Sequence, residues 1–164
     1  MKFEKDFKFI INTDIYRQMK ECVKRASPNE AFGLVFGTLK ELKVEGGYQY
    51  QYIGKQFKCI ESDEKSPVAF FVRGDTEELF SIFKEAVEKF GMRLISIFHS
   101  HPSGAFPSGV DRSNMEHLNN IEISGTKNPF KYQVWSIMSA QSEKLNGFLF
   151  LTNEIIQVDI KIRT

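Results

Sequence analysis

Two of the chain's three histidines stand one residue apart, in His99-Ser100-His101-Pro102. In extended backbone, residues i and i+2 project to the same side, so both imidazoles can converge on one ion. Pro102 removes a backbone donor and turns the chain out of its sheet. Asp111 returns a carboxylate ten positions after His101. Two histidines and one carboxylate, with the fourth position open, are the donor set of a catalytic zinc site, whereas a structural site closes that position with another protein ligand. His117, six positions past Asp111, falls off the same helical face and takes no part. A water held in the open position needs a base to relay its proton. Glu30 is the candidate, a carboxylate placed between a helix and the apolar, glycine-flanked strand Gly33–Gly37.

The elements around these residues follow from periodicity. Phe3 to Ile11 alternates as a first strand, and Ile15, Met19, Cys22, Val23 and Ala26 form one helical stripe over Asp14 to Ala26. Pro28 limits that helix. Gly33 to Gly37 and Tyr48 to Ile53 read as strands, with Gly46-Gly47 turning between neighbours. Asp75 and Glu78 open a second helix with an apolar face from Leu79 to Phe90, and Gly91 stops it. Met92 to Phe98 is an apolar run suited to a central strand covered on both faces, and it delivers His99 at its end. A shorter helix starts near Asp111. Tyr132 to Met138 and Phe148 to Leu151 read as strands with Asn146-Gly147 as the turn between them, and Ile156 to Ile162 alternates as a last strand. This order predicts an α/β (α+β) sandwich, a mixed curved β-sheet flanked by two to three helices.

At 164 residues, 41% apolar and 26% charged, the chain is the size of one domain, 1–164. Its 16 phenylalanines lie mostly at core spacing. A net charge of +1 gives no basic excess for coating nucleic acid. The longest uncharged apolar stretch, Leu94 to Phe98, is far short of the ~20 residues needed to span a bilayer, and no secretory leader is visible. Cys22 and Cys59 cannot build a disulfide framework or a thiolate zinc site. Their apolar settings predict two small buried thiols and an intracellular protein, with the cytoplasm as default.

Glu30 in a Glu-x-x-Gly-x-x-x-Gly strand entry, followed by His-Ser-His-Pro, Ser108 and Asp111, resembles the JAMM (MPN-plus) zinc metalloproteases. The resemblance covers nearly the whole chain and implies their cytidine-deaminase-like sandwich. Pro-Ser-Gly-Val-Asp, with Phe106 just before it, looks most like the proteasome-lid and signalosome members that remove ubiquitin-like proteins. By this resemblance His99, His101 and Asp111 hold one zinc per chain, Glu30 shuttles protons, and Ser108 donates to the developing oxyanion. The implied reaction is hydrolysis of the isopeptide joining a ubiquitin or ubiquitin-like modifier's C-terminal glycine to a lysine. The partners are then such conjugates, within or outside a proteasome-like assembly, and neither nucleic acid nor membrane. Two alternatives share the motif: release or maturation of a small sulfur-carrier or ubiquitin-like protein, and a non-catalytic scaffold on the same fold. Glu61 to Val72 and Ile121 to Phe130 occupy the places of the family's two insertions, the first offering Phe71, with Phe106, as substrate contacts. The second lacks the extra ligands for a second zinc. The loop from His101 to Asp111 is one position shorter than usual in the family, the difference falling near Ser103-Gly104.

Overall fold

Local signals set the element boundaries in the computed structural model, which describes residues 4–60, 84–89, 91–120, 128 and 130–164. Strand β1 (Glu4–Asn12) passes directly into helix α1 (Thr13–Ala26), because the Asn12 side chain accepts the Ile15 N–H at 2.7 Å and caps the helix. Strands β2 (Phe32–Val44) and β3 (Gly47–Ile60) form a long antiparallel pair. Residues 84–89 are helical and end at Gly91, whose φ of 61° and N–H bond to the Val87 carbonyl (3.1 Å) make the expected glycine stop. Strand β4 (Arg93–His101), helix α2 (Gly109–Asn120) and strands β5 (Val134–Ser139), β6 (Leu145–Leu151) and β7 (Glu154–Arg163) complete the order.

The sheet is a closed barrel, ordered β1-β3-β2-β4-β5-β6-β7, and not the expected sandwich of a sheet flanked by helices. Closure comes from β1, which lies parallel to both β3 and β7. Periodicity reports which face of a strand is buried but not which distant strand pairs with it, so the closing contact has no local signature. Two glycines permit the curvature. A Cβ on Gly37, at the β2–β3 register shift, would lie 1.8 Å from the Ile53 carbonyl oxygen, and one on Gly54 would lie 2.9 Å from Ile11 of β1. Without side chains, the backbones approach and bend there.

Side chains alternate across this sheet between two apolar clusters. Phe32 and Leu34 of β2, Ile97 of β4 and Trp135 and Ile137 of β5 pack with Met115 and Leu118 of α2. Val35, Phe98, Val134 and Met138 point the other way, to Ile15, Met19 and Val23 of α1. Each such large side chain taken from water contributes roughly 1.5–3 kcal/mol. Strand β4 is therefore buried on both faces from Leu94 to Ser100, as its apolar run predicted.

Two further expectations are corrected. Asn146-Gly147 is not a turn: both residues lie inside β6, and the β5–β6 connection spans residues 140–144. Gly147 serves close packing, since a Cβ there would meet Val158 at 2.8 Å. The cysteines are not free thiols. Cys22 of α1 and Cys59 of β3 form a disulfide with Cα atoms 5.8 Å apart. Residues 37 positions apart carried no pairing signal, because a buried thiol and a buried half-cystine share the same apolar setting. None of the described helices is long and apolar enough to cross a membrane. Most of the second helix, the Glu61 to Val72 segment with Phe71, and Ile121 to Lys127 lie outside the described residues.

Closing a loop between residues 37 positions apart restricts the unfolded chain substantially. Replacing both Cys22 and Cys59 by alanine is expected to lower unfolding stability by roughly 2–4 kcal/mol, with a similar loss when the parent is unfolded in reductant. Denaturant titrations with and without reductant check this; coincident curves, with two alkylatable thiols in the untreated protein, would refute the bond.

Candidate metal centre

Strand β4 ends at the surface with His99 buried and His101 partly exposed. With Ile97, they project from the face of β4 that packs against α2, and Trp135 of β5 sets its edge against His99 at 6.2 Å between ring centres. Asp111 arrives from the first turn of α2 and is itself buried. Its Oδ1 lies 3.1 Å from His99 Nε2 and its Oδ2 3.0 Å from His101 Nε2, while the two Nε2 atoms are 3.2 Å apart. Donor atoms about 2.0–2.1 Å from a tetrahedral zinc lie about 3.3 Å from one another, so this triangle matches one face of such a site. Among the described residues these three form the one histidine, cysteine or carboxylate group able to hold a metal ion.

The carboxylate is oriented by a reciprocal helix cap. Ser108 N–H donates to Asp111 Oδ2 at 2.8 Å, and Asp111 N–H donates to Ser108 Oγ at 3.1 Å. Ser-x-x-Asp is a capping-box pattern, and here it fixes the Asp111 carboxylate and the Ser108 hydroxyl as one unit. Because Ser108 Oγ accepts in this cap, its own proton is left to donate elsewhere. Burial alone would push the Asp111 carboxyl up, but hydrogen bonds from His101, His99 and Ser108 outweigh it and hold the group well below the usual carboxylate range. The same hydrogen bond to Asp111 raises His101 above its ordinary value, against the effect of burial, and the Glu30 charge adds to the rise.

Glu30 is half-buried in the connection from α1 to β2. Two bonds place it. Ala31 N–H donates to Ser100 Oγ at 2.8 Å, and Ser100 N–H donates to the Ala31 carbonyl at 3.2 Å. Ser100, between the two histidines, thus ties the residue after Glu30 to the end of β4, and Phe32 pairs directly with His99. The loop from His101 to Asp111 is held as well: Gly104 turns with φ 79°, Ala105 is buried, and its carbonyl accepts from Asn146 Nδ2 at 3.0 Å. Phe106 beyond it is 57% exposed, with its ring 6.0 Å from that of Phe148. His117 is exposed on α2 and outside the cluster.

The structure therefore brings His99, His101, Asp111 and Ser108 together and puts Glu30 within electrostatic reach. Two supporting residues, Ser100 and Asn146, had not been singled out as such. The cap between Ser108 and Asp111 was readable from spacing. The Ser100 clamp required knowing the strand neighbours, and Asn146 was hidden by its turn-like Asn-Gly dipeptide.

A barrel whose strand end and following helix assemble two imidazoles and a carboxylate defines a domain with a candidate metal site. The family model of prokaryotic homologs of the JAB domain matches residues 12–146, and the chain belongs to that family. A solution structure of a protein from Desulfitobacterium hafniense is similar, with a TM-score of 0.66 and 19% identity over 94% of this chain and 92% of that one. The crystal structure of a JAB1/MPN domain protein from Archaeoglobus fulgidus matches with a TM-score of 0.50 and 15% identity, over 92% of this chain and 96% of that one. At such identities these structures speak for the fold. A search of curated proteins gives no match.

Zinc titration is the direct test of the donor set. The parent is expected to bind about one zinc per chain, with His101→Ala weakening binding by several kcal/mol while Asn114→Ala, on the same helix, leaves it unchanged. Calorimetry or metal analysis after gel filtration decides; equal uptake by the parent and His101→Ala would remove His101 from the ligand set.

Proposed function

We propose that the chain is a zinc-dependent isopeptidase that hydrolyses the amide between the C-terminal glycine of a ubiquitin-like modifier and a lysine. The observation that carries the reading is the donor triangle of His99, His101 and Asp111, with Ser108 locked to the same carboxylate. When bound, the zinc supplies Lewis acidity, which acidifies water and polarises a carbonyl. The histidines and Asp111 would hold it, two as neutral donors and one as an anion.

The chain's own groups complete the reaction. Glu30 takes the proton as water attacks the carbonyl carbon, and the carbonyl oxygen gains negative charge. The Ser108 hydroxyl, held in place by its cap bond, donates to that oxygen, and a donor aimed where charge develops lowers the barrier. The carbon–nitrogen bond then breaks, Glu30 returns its proton to the departing amine, and a carboxylic acid and an amine result. The clamp on Ala31 serves this double transfer, because a base that moves a proton twice must keep its position through both steps.

An exposed Phe106 beside Ser108 supports the reading as a contact for the modifier's extended tail, and Phe71 is proposed alongside it. The cytoplasm belongs to the same proposal. There the Cys22–Cys59 bond would face a reducing glutathione pool, so its state in whole cells distinguishes that setting from an oxidising one.

Glu30→Gln is expected to keep zinc and lose turnover by about 10²–10⁴-fold, the scale of removing a general acid and base. Ser108→Ala should also keep zinc and slow the chemical step by about 10²-fold. Single-turnover cleavage of a ubiquitin-like conjugate, with zinc content measured on the same samples, tests both. Parent-like rates in Glu30→Gln would take the proton shuttle away from Glu30.

A further inference from the structure

Strand β2 outruns its neighbour on one side. It pairs with β3 along its whole length, from Phe32 opposite Ile60 to Val44 opposite Gly47, but its pairing with β4 stops at Gly37 opposite Arg93. Among the described residues no strand covers the β4-side edge of residues 38–44. In an antiparallel ladder every second residue turns its N–H and C=O away from its partner, so this stretch presents unused backbone donors and acceptors. The side chains are open too. Lys40, Glu41, Leu42, Lys43 and Val44 are all exposed, with the apolar Leu42 and Val44 at 39% and 41%. An exposed edge of this length that carries apolar residues is a template for another strand.

Charge decides which strand fits. Lys40, Leu42 and Val44 share one face of β2, and Glu41 and Lys43 share the other. Among the described residues neither Glu41 nor Lys43 takes part in an ion pair. When two copies of one strand pair antiparallel about a two-fold axis, residues equally far from the centre stand opposite each other on the same face. A centre at Lys40, Glu41 or Lys43 would set that charge against its own copy. A centre at Leu42 instead sets Glu41 opposite Lys43 of the second copy, and Lys43 opposite its Glu41. Leu42 then meets Leu42, and the Lys40 stem lies beside Val44. The second copy's turn, Glu45-Gly46, falls opposite Leu39 and Thr38 and stops short of Arg93, where β4 takes over the edge.

We propose that this edge joins two copies of the chain, β2 to β2, antiparallel and centred on Leu42, so that one sheet runs through both. The occupant is a second copy because the order Lys40-Glu41-Leu42-Lys43 complements itself in that register. Backbone bonds along the edge supply the attraction, the two Glu41–Lys43 pairs fix the register, and the Leu42 contact removes apolar surface from water. Leu42 stands ten residues along β2 from Phe32, roughly 33 Å, so the two metal centres lie at opposite far ends of the paired strands. Both stay uncovered, and the pairing does not depend on the chemistry that they perform.

Sedimentation equilibrium of the parent from about 1 μM to 1 mM is expected to show a reversible monomer–dimer equilibrium, the range in which a modest interface dissociates. Glu41→Lys and Lys43→Glu each turn both cross-strand pairs into like charges, and each should weaken dimerisation at least about tenfold. Combining the two substitutions in one chain restores both pairs with the signs exchanged, and the dimer should return. An equimolar mixture of the two single variants should also dimerise, because each supplies the charge that the other lacks. Both positions are exposed, so thermal unfolding and zinc uptake should match the parent in every variant. A parent that stays monomeric throughout would overturn the self-pairing and leave the edge to a strand from a different protein. Single variants as dimeric as the parent, or a mixture that stays monomeric, would overturn the register and with it the proposal.

Discussion

The arrangement of the centre depends on the two hydrogen bonds exchanged between Ala31 and Ser100. They continue the β2–β4 ladder past its last paired residues, Phe32 and His99, using a side chain where the backbone alone would run out of partners. A buried ladder end otherwise leaves polar groups unsatisfied, at a cost of about 1–3 kcal/mol each. Satisfying them with Ser100 has a functional consequence. The residue between the two histidines of the candidate metal site also fixes the approach of Glu30, so the donor atoms and Glu30 share one rigid frame.

The opposite side of the centre is built on a second reciprocal pair, Ser108 with Asp111. Here a helix start does what a strand end does for the histidines. The cap removes rotational freedom from a carboxylate that must meet two imidazoles, and it uses the positive end of α2 to favour the ionised form. The tight loop leading into it has little slack of its own. Asn146, buried in β6, anchors it through the Ala105 carbonyl. Gly104 makes the turn in this loop at a positive φ, away from Ser108.

Much of this was legible in the chain. The i, i+2 histidines at the end of an apolar run, the carboxylate near a helix start and the acid ahead of a glycine-flanked strand are local patterns, and the strands and helices that carry them lie close to where periodicity puts them. What was not legible is long-range. The parallel insertion of β1 between β3 and β7 depends on which strands meet, as does the Cys22–Cys59 bond. Asn146-Gly147 misled for a different reason. The dipeptide suits a turn in isolation, but burial of Asn146 against the loop and the crowding of Gly147 by Val158 give each residue a different task, and tertiary contacts override local preference.

Barrel closure, which the sequence pattern hid, also explains why the chemistry gathers at one end. Strands β4 and β5 run parallel, with His101 opposite Ser139, so their carboxyl ends deliver the second histidine and the Ala140 turn side by side. Strand β2 runs antiparallel to β4, so its entry brings Glu30 and Asn29 to that same end. Helix α1 is held against this frame by β1, which itself closes the barrel, and by the disulfide to β3. The scaffold below is a packed, edge-paired core that tolerates little change. His99 and His101 close strand β4 and Asp111 lies in the first turn of α2, whereas Glu30, Ser108 and Ala140 sit on connections, which can vary without disturbing the strands.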